Sequence, residues 1–89
     1  MQVRKMRLLR KKYGITRPEL GRACALSTQR IDEIEQNAAK LTPETEEKLQ
    51  RGFDLVVQGR ENALHSLRGD LARYGASLFE IVEETDYEL

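Results

Sequence analysis

The sequence contains no tryptophan, two prolines and one cysteine, Cys24. A lone cysteine cannot form an internal disulfide, and no Cys/His cluster has the spacing of metal ligands. No apolar run approaches the length of a membrane span, and the N-terminus lacks the apolar core of a signal peptide. These absences predict a protein of the reducing cytoplasm that binds neither a metal nor a cofactor.

Catalytic signatures are also missing. The sequence has no glycine-rich phosphate loop and no nucleophile beside a recognisable base, and its acidic pairs fall on polar helix faces or in the tail. With 89 residues, of which 39% are hydrophobic, the chain can hold one modest core. We therefore expect one small domain that is not an enzyme.

Charge is balanced over the whole chain but divided along it. Residues 1–40 carry ten basic and four acidic side chains, which gives a net charge of +6. Residues 41–89 carry five basic and eleven acidic side chains, which gives −6. Such an asymmetry indicates that the first part faces a polyanion, whereas an acidic C-terminal tail points away from it.

Helix signals dominate the chain, because apolar residues recur every three or four positions and no hairpin signal is present. The pattern predicts an all-α fold of about five helices with a short extra C-terminal helix. The first helices are expected at about Gln2 to Tyr13 (apolar face Met6, Leu9 and Tyr13), Arg17 to Cys24, Ser27 to Gln36, and Pro43 to at least Phe53. Residues 1–58 should form the main unit, and residues 59–89 a helical extension of the same fold.

Three helix starts carry capping signals. Thr16 and Glu19 fit a capping box, in which the threonine hydroxyl accepts a hydrogen bond from the Glu19 backbone N–H. Ser27 and Thr42 are placed to cap the third and fourth helices in the same way. The second and third helices are therefore joined by a tight turn around Ala25.

Apolar residues continue at helical spacing through the C-terminal third: Leu64, Leu67, Leu71, Tyr74, Leu78 and Ile81. This spacing suggests one long helix with a coiled-coil seam. Gly75 and a further capping box at Ser77 to Glu80 instead favour a break, followed by a short helix from Leu78 to about Glu84. We favour the break, and we expect the residues from Thr85 onwards to fray.

The second and third helices and their surroundings carry an ungapped pattern: Leu9-Arg10, Gly14-Ile15-Thr16, Leu20, Leu26-Ser27, Ile31 and Ile34-Glu35. In this register the chain resembles the Cro and phage-repressor (xenobiotic-response-element type) family of DNA-binding domains. The resemblance implies a lambda-repressor-like helix-turn-helix bundle. Ala25 departs from the glycine usual at the turn, where a left-handed conformation would cost about 1–2 kcal/mol, and Arg17 departs from a frequent glutamine.

The resemblance also implies that the third helix lies in the major groove of DNA with its N-terminal residues at the base edges. Gln29 suits adenine, Arg30 suits guanine, and the Thr28 methyl group suits a thymine methyl. Asp32 and Glu33 would repel phosphate, unless Glu33 accepts from cytosine N4 or orients Arg30. We favour orientation, and we predict base contacts for Thr28, Gln29, Arg30 and Glu33.

Phosphate contacts are implied at two helix starts and in the loop after the third helix. The residues concerned are Thr16 and Arg17, Ser27, and Asn37 with Lys40. Such contacts position a protein on DNA but do not select a sequence.

Arg10 receives a structural role from the same resemblance, which implies an ion pair with Glu35 inside the domain. Its loss should unfold the protein, because an unpaired buried charge costs several kcal/mol. The remaining basic residues of the first helix should form a solvated face, from which one or two side chains reach phosphate.

A dimer is expected, because one recognition helix specifies only about four base pairs and a palindromic site supplies the rest. The apolar residues after Val56 exceed what a four-helix core needs. The predicted interface consists of Leu64, Leu67, Leu71, Leu78, Ile81 and Val82. The alternative, in which these residues all pack inside a monomer, stays open.

Two functions fit these observations. The first is a sequence-specific regulator of transcription, a small repressor of a phage, mobile element or bacterial operon, which binds double-stranded DNA as a homodimer. The second is a protein-interaction module with the same fold, such as an antitoxin or anti-repressor, whose long apolar segment holds a protein partner. The positive charge of residues 1–40 favours DNA.

Overall fold

The computed structural model describes residues 2–84, and those residues contain helices and no strand. The α-helices span Lys5–Lys12 (α1), Arg17–Cys24 (α2), Thr28–Glu35 (α3) and Pro43–Tyr74 (α4), and a 3-10 helix covers Gly75–Phe79. The predicted all-α class is therefore confirmed. By their contacts the residues fall into two compact units, one ending at Gly59 and the other beginning at Arg60.

Hydroxyl groups cap three of the helices. Thr16 Oγ1 accepts from the Glu19 N–H at 3.1 Å, and Ser27 Oγ accepts from the Arg30 N–H at 3.0 Å. At the start of α4, Thr42 Oγ1 accepts from the Thr45 N–H at 3.2 Å. The three predicted caps are confirmed, and each provides a partner for a backbone donor that the helix itself leaves unpaired.

The first helix is shorter than predicted, because it begins at Lys5 and not near Gln2. The Arg4 N–H donates to the carbonyl oxygen of Glu35 at 2.8 Å, and Arg4 Nε donates to the carbonyl of Ile34 at 2.9 Å. These bonds tie the preceding segment to the end of α3. The chain before Lys5 therefore bonds to α3 and does not extend α1.

The core of the first unit is small and lies among all four α-helices. It contains the buried side chains of Ile15, Leu20, Cys24, Ile31, Ile34, Leu49 and Val56. Met6 packs against this core, but Leu9 and Tyr13, predicted on the same face, are 51% and 57% exposed. Arg10 instead takes the buried position on α1.

Helix α4 packs closely on helix α2 at a glycine. A Cβ atom on Gly52 would lie 2.1 Å from Cys24 Sγ and 3.2 Å from the Cys24 backbone nitrogen. Cys24 is buried, and burial raises the pKa of its thiol. Cys24 therefore packs between α2 and α4 as a small core residue.

The turn between α2 and α3 closes directly over a second glycine. A Cβ atom on Gly21 would lie 2.6 Å from the carbonyl oxygen of Leu26, whose N–H donates to the Gly21 carbonyl at 2.9 Å. Ala25 ends α2 in the left-handed conformation, with φ 59° and ψ 41°. The strain anticipated for an alanine at this turn is therefore present in the backbone geometry.

Replacing Ala25 with glycine should raise the free energy of unfolding. Glycine removes about 1–2 kcal/mol of left-handed strain, whereas its freedom in the unfolded chain offsets about 0.4–1 kcal/mol of that gain. We expect a net stabilisation of about 0.5–1 kcal/mol, measured by urea denaturation followed by circular dichroism. The matched control is Ala72→Gly in α4, where the same change should destabilise the helix by up to about 1 kcal/mol. If Ala25→Gly instead lowers the free energy of unfolding, the left-handed conformation of Ala25 is not strained.

The C-terminal part departs from the prediction. Helix α4 runs without interruption to Tyr74, so residues 2–84 contain four α-helices where about five helices were predicted. The predicted break at Gly75 is confirmed by its φ of 51°. The predicted helix from Leu78 to Glu84 is also wrong, because the chain continues as the 3-10 helix to Phe79. Residues 85–89, which include the predicted frayed end and part of the acidic tail, lie outside the described residues.

Ser77 explains why the last capping signal fails. Its hydroxyl donates to the carbonyl oxygen of Tyr74 at 2.6 Å, and the Glu80 N–H donates to the Ser77 carbonyl at 3.1 Å. Ser77 therefore satisfies a carbonyl at the end of α4 and does not cap a new helix. A hydroxyl can donate or accept, so the sequence pattern alone does not choose between these roles.

Candidate functional site

Helix α3 has one face in the core and one face in solvent. Ile31 and Ile34 are fully buried, whereas Thr28 and Gln29 are exposed and Arg30 is half-buried. The Ser27 cap fixes the start of the helix and with it the direction in which each side chain points. The structure thus places the predicted base-contact residues on the side of α3 that faces away from the core.

Glu33 has a different neighbour from the one predicted. Gln29 Nε2 donates to Glu33 Oε1 at 3.2 Å, one helical turn away. The expected orientation of Arg30 by Glu33 is therefore replaced by orientation of Gln29. The i,i+4 spacing gives a glutamine and a carboxylate a direct approach, and it competes successfully with the i,i+3 spacing to Arg30.

Arg10 and Glu35 form a buried ion pair with two parallel hydrogen bonds. Arg10 Nε lies 2.7 Å from Glu35 Oε2, and Arg10 Nη2 lies 2.9 Å from Glu35 Oε1. Arg10 Nη1 also donates to the carbonyl oxygen of Ile15 at 2.9 Å. The bond to Glu35 raises the pKa of Arg10, opposed by the cost of burying its charge. The pair joins α1 to the end of α3.

Two further arginines and an aspartate extend this pair into a charged cluster. Arg17 Nη2 lies 3.0 Å from Asp32 Oδ1, and Arg7 Nη1 lies 3.7 Å both from that atom and from Glu35 Oε1. We call Arg7, Arg10, Arg17, Asp32 and Glu35 the arginine cluster. Three positive and two negative groups give it a net charge of +1.

Arg17, which was predicted to contact phosphate, is instead a member of the arginine cluster. Its side chain is 33% exposed and points at Asp32, and its Nε atom is buried without a hydrogen-bond acceptor among residues 2–84. Asp32, whose side chain is also 33% exposed, accepts a further hydrogen bond from Gln36 Nε2 at 2.8 Å. An external anion that approaches Arg17 therefore competes with Asp32 for its guanidinium.

Asp32 was predicted only to repel phosphate, whereas in the structure it pairs with Arg17 and Arg7. A usable signal was present, because Asp32 lies three residues before Glu35 and thus on the same side of α3. A carboxylate beside a buried one requires extra positive charge nearby. The basic residues of α1 and Arg17 were the available sources of that charge.

The other predicted phosphate contacts lie on the surface. Thr16, Ser27 and Lys40 are exposed, and both hydroxyls keep a donor hydrogen while their oxygens accept the cap bonds. Asn37 is exposed in a left-handed conformation, with φ 59°, and its Oδ1 accepts from Arg4 Nη2 at 3.2 Å. The two helix N-termini accordingly present polar groups to solvent, where the helix dipole also favours an anion.

The predicted interface residues are solvent-exposed in the second unit. Leu64, Leu67 and Leu71 are 64%, 52% and 46% exposed on α4. Beyond the helix, Leu78 and Val82 are about half exposed and Ile81 fully so. Part of this surface forms a groove between α4 and the segment after it, lined by the apolar residues Leu67, Leu71, Tyr74, Leu78 and Val82 and by the acidic residues Asp70, Glu80 and Glu84. The single chain leaves these apolar side chains uncovered.

Other kinds of site receive no support from the described residues. Among residues 2–84, no group of three His, Cys, Asp or Glu side chains is placed to hold a metal ion. None of the helices in that range is long and apolar enough to cross a membrane. Comparison of the chain with protein-family models, with curated proteins and with solved structures yields no match.

Proposed function

We propose that the chain is a sequence-specific DNA-binding regulator of transcription, a small cytoplasmic repressor of a phage, mobile element or bacterial operon. In this proposal residues 1–58 are a lambda-repressor-like helix-turn-helix domain without catalytic activity, and residues 27–36 enter the major groove. One observation carries the proposal: a capped helix presents a polar outer face beside a second capped helix, over a turn of a few residues.

The outer face of α3 has the chemistry needed to select bases. The guanidinium of Arg30 can donate two hydrogen bonds to guanine O6 and N7, and the Thr28 methyl group can contact the methyl group of thymine. The amide of Gln29 can pair with adenine N6 and N7, provided that it exchanges its bond to Glu33. Glu33 holds Gln29 in place before binding, which lowers the conformational entropy lost on contact.

Electrostatics support the same surface. The first 40 residues carry a net charge of +6, and the positive ends of α2 and α3 both lie at exposed caps. Lys40 and the N–H groups of these helix starts would bind phosphate oxygens. DNA carries a negative charge about every 1.7 Å of its axis, so such a surface gains affinity mainly by releasing counterions.

A homodimer completes the proposal, because two recognition helices about 34 Å apart can bind an inverted repeat. The uncovered residues Leu64, Leu67, Leu71, Leu78, Ile81 and Val82 supply the interface. The same apolar surface also favours the second candidate, a module that holds another protein. The two candidates predict different effects of substitution. A DNA-binding regulator should lose DNA selectivity when Gln29 or Arg30 is replaced. A protein-interaction module should lose its mixed complex when residues between Leu64 and Val82 are replaced.

Replacing Asp32 with asparagine should strengthen DNA binding. In the wild type Arg17 is paired with Asp32 at 3.0 Å, so in this proposal a phosphate competes with that carboxylate for Arg17. Asparagine keeps a similar shape and an acceptor for Gln36 but releases Arg17. We expect affinity for mixed-sequence duplex DNA to rise about three- to ten-fold, and the slope of log K against log salt to steepen by about 0.9. Fluorescence anisotropy at several salt concentrations measures both quantities.

Asp54→Asn is the matched control, because Asp54 is an exposed carboxylate in the same unit. It removes the same charge without releasing an arginine, so it should change affinity less and leave the salt slope unchanged. Equal effects of the two substitutions would show that Asp32 does not restrain Arg17. A wild-type protein that binds no duplex DNA even at low salt would overturn the proposed function itself.

A further inference from the structure

The second half of α4 has the pattern of a helix that pairs with one other helix. Its exposed apolar side chains follow a heptad repeat, in which positions a and d form a narrow seam. Val57, Leu64 and Leu71 occupy the a positions, and Arg60, Leu67 and Tyr74 occupy the d positions. The opposite side of the helix is small or polar, with Gln58, Gly59, Asn62, His65, Ser66, Gly69, Ala72 and Arg73. One seam and one polar face indicate a single partner helix.

Charges at the edge of this seam determine which partner fits. Glu61 and Arg68 both occupy e positions, one heptad apart and on the same edge. Seven residues of helix separate them by about 10.5 Å, which is too far for an ion pair within one chain. Charges at e and g positions pair between helices and set their orientation. The edge therefore carries one negative and one positive charge in sequence. When the same edge of a second copy lies alongside in the opposite direction, each charge meets a charge of opposite sign.

We propose that α4 pairs with α4 of a second copy of this chain in antiparallel orientation, with Leu64 of each copy opposite Leu67 of the other. In this register Glu61 lies beside Arg68 of the second copy, and the twofold symmetry forms this contact twice. The proposal adds an orientation and two charged residues to the dimer of the proposed function, and it rests on that dimer.

A parallel pair gives none of these contacts. In a parallel coiled coil the e position faces the g position of the preceding heptad, so Glu61 would lie beside Val56 and Arg68 beside Ala63. The Arg60 side chains of the two copies would also meet in one d layer, where like charges repel. In the antiparallel pair Arg60 instead lies opposite Leu71 of the second copy, which its aliphatic stem can cover.

The apolar groove of the second unit is continuous with this seam. Its lining includes Leu67, Leu71 and Tyr74, which are consecutive seam positions. The antiparallel register places residues 57–64 of the second copy along these three residues. Arg60 of the second copy then enters a groove whose lining also includes Asp70, Glu80 and Glu84. A basic side chain entering an acidic groove is a second charge match in the same orientation.

Charge reversal tests the orientation. Glu61→Arg and Arg68→Glu each convert two attractive contacts of the dimer into two repulsive contacts. We expect each single variant to raise the dimer dissociation constant by about ten-fold at low salt, and the double variant to return it to within about three-fold of the wild type. Sedimentation equilibrium without DNA measures the dissociation constants, and circular dichroism verifies that helix content is unchanged.

Asn62→Lys and Ser66→Glu are matched controls, because they change charge on the polar side of the helix next to Glu61 and near Arg68. Both should leave the dissociation constant within about two-fold of the wild type. If the free energy of dimerisation lost in the double variant equals the sum of the losses in the two single variants, the antiparallel register is wrong. A chain that stays monomeric up to about 100 µM would overturn the self-association as well. Because no DNA is present, neither outcome depends on whether the protein binds DNA.

Discussion

Replacing Glu35 with leucine is expected to lower the free energy of unfolding by about 3–5 kcal/mol, which would leave a domain of this size largely unfolded. The substitution removes both carboxylate acceptors of the buried Arg10 guanidinium and leaves it only the carbonyl oxygen of Ile15. It also takes a carboxylate away from Arg7 and Arg17, so three arginines share Asp32 alone. An uncompensated buried charge costs more than the lost packing of a carboxylate. Urea denaturation followed by circular dichroism measures the effect.

The double variant Arg10→Met with Glu35→Leu distinguishes the effect of the buried charges from the effect of the side-chain volume that they fill. Removing both charges abolishes the unpaired ion, so the double change should cost at least about 2 kcal/mol less than the sum of the single changes. It should not reach zero, because the Ile15 carbonyl loses its donor Arg10 Nη1.

An exposed pair supplies the control for this experiment. Arg51 and Glu47 form an ion pair on α4, with side chains that are 74% and 61% exposed. Glu47→Leu should therefore cost less than about 1 kcal/mol. Strict additivity of the two buried substitutions, or a Glu35→Leu cost as small as that of the exposed control, would contradict a structural role for the arginine cluster.

Arg30→Ala should reduce the preference for the bound sequence over random DNA by about 10- to 100-fold. A bidentate contact between arginine and guanine discriminates by about 1–3 kcal/mol, and about 1.4 kcal/mol corresponds to a factor of ten. Binding to unrelated sequences should change little, because those complexes depend on phosphate contacts. Competition between a selected duplex and random duplexes at fixed salt measures the ratio.

Lys40→Ala should act differently from Arg30→Ala. Loss of a phosphate contact weakens binding to every sequence alike and reduces the salt slope by about 0.9. Lys48→Ala on α4 serves as the control, because Lys48 is exposed and lies outside the proposed interface. Selectivity would not lie on α3 if Arg30→Ala weakened specific and random DNA equally, or if Lys48→Ala lowered the preference as strongly.

Local signals in the sequence were sufficient for the starts of α2, α3 and α4. The caps at Thr16, Ser27 and Thr42 were predictable because each involves a hydroxyl and a backbone N–H three residues later. The left-handed turn at Ala25 was predictable for a similar reason, since two helices so close in sequence need a sharp reversal of the chain. Interactions within one turn of backbone depend little on the rest of the fold.

Contacts between distant residues were harder to predict. The position of Asp32 depends on how α1 and α2 meet α3, which brings Arg7 and Arg17 to one carboxylate across long stretches of chain. Gly52 attracted no attention in the sequence, because the need for a missing Cβ arises only where α4 meets Cys24. The short spacing between Glu33 and Gln29 was visible, but two helix neighbours competed for the same carboxylate.

The C-terminal third was ambiguous because the same residues support two structures. An apolar spacing of three and four residues fits one continuous helix, and α4 follows that pattern to Tyr74. Gly75 ends the helix in a positive-φ conformation, and only the Ser77 hydroxyl bond to Tyr74 shows why no further helix starts there. A pattern of side chains cannot decide which partner a hydroxyl takes.

Selection of bound duplexes from a random pool tests sequence-specific binding without any assumption about the target sequence. We expect enrichment of an inverted repeat whose half-sites are centred about one helical turn, or 34 Å, apart, and loss of that enrichment in the Arg30→Ala protein. The wild-type protein is first shown to be folded. If the pool then remains random after repeated selection at moderate salt, sequence-specific recognition of DNA is contradicted.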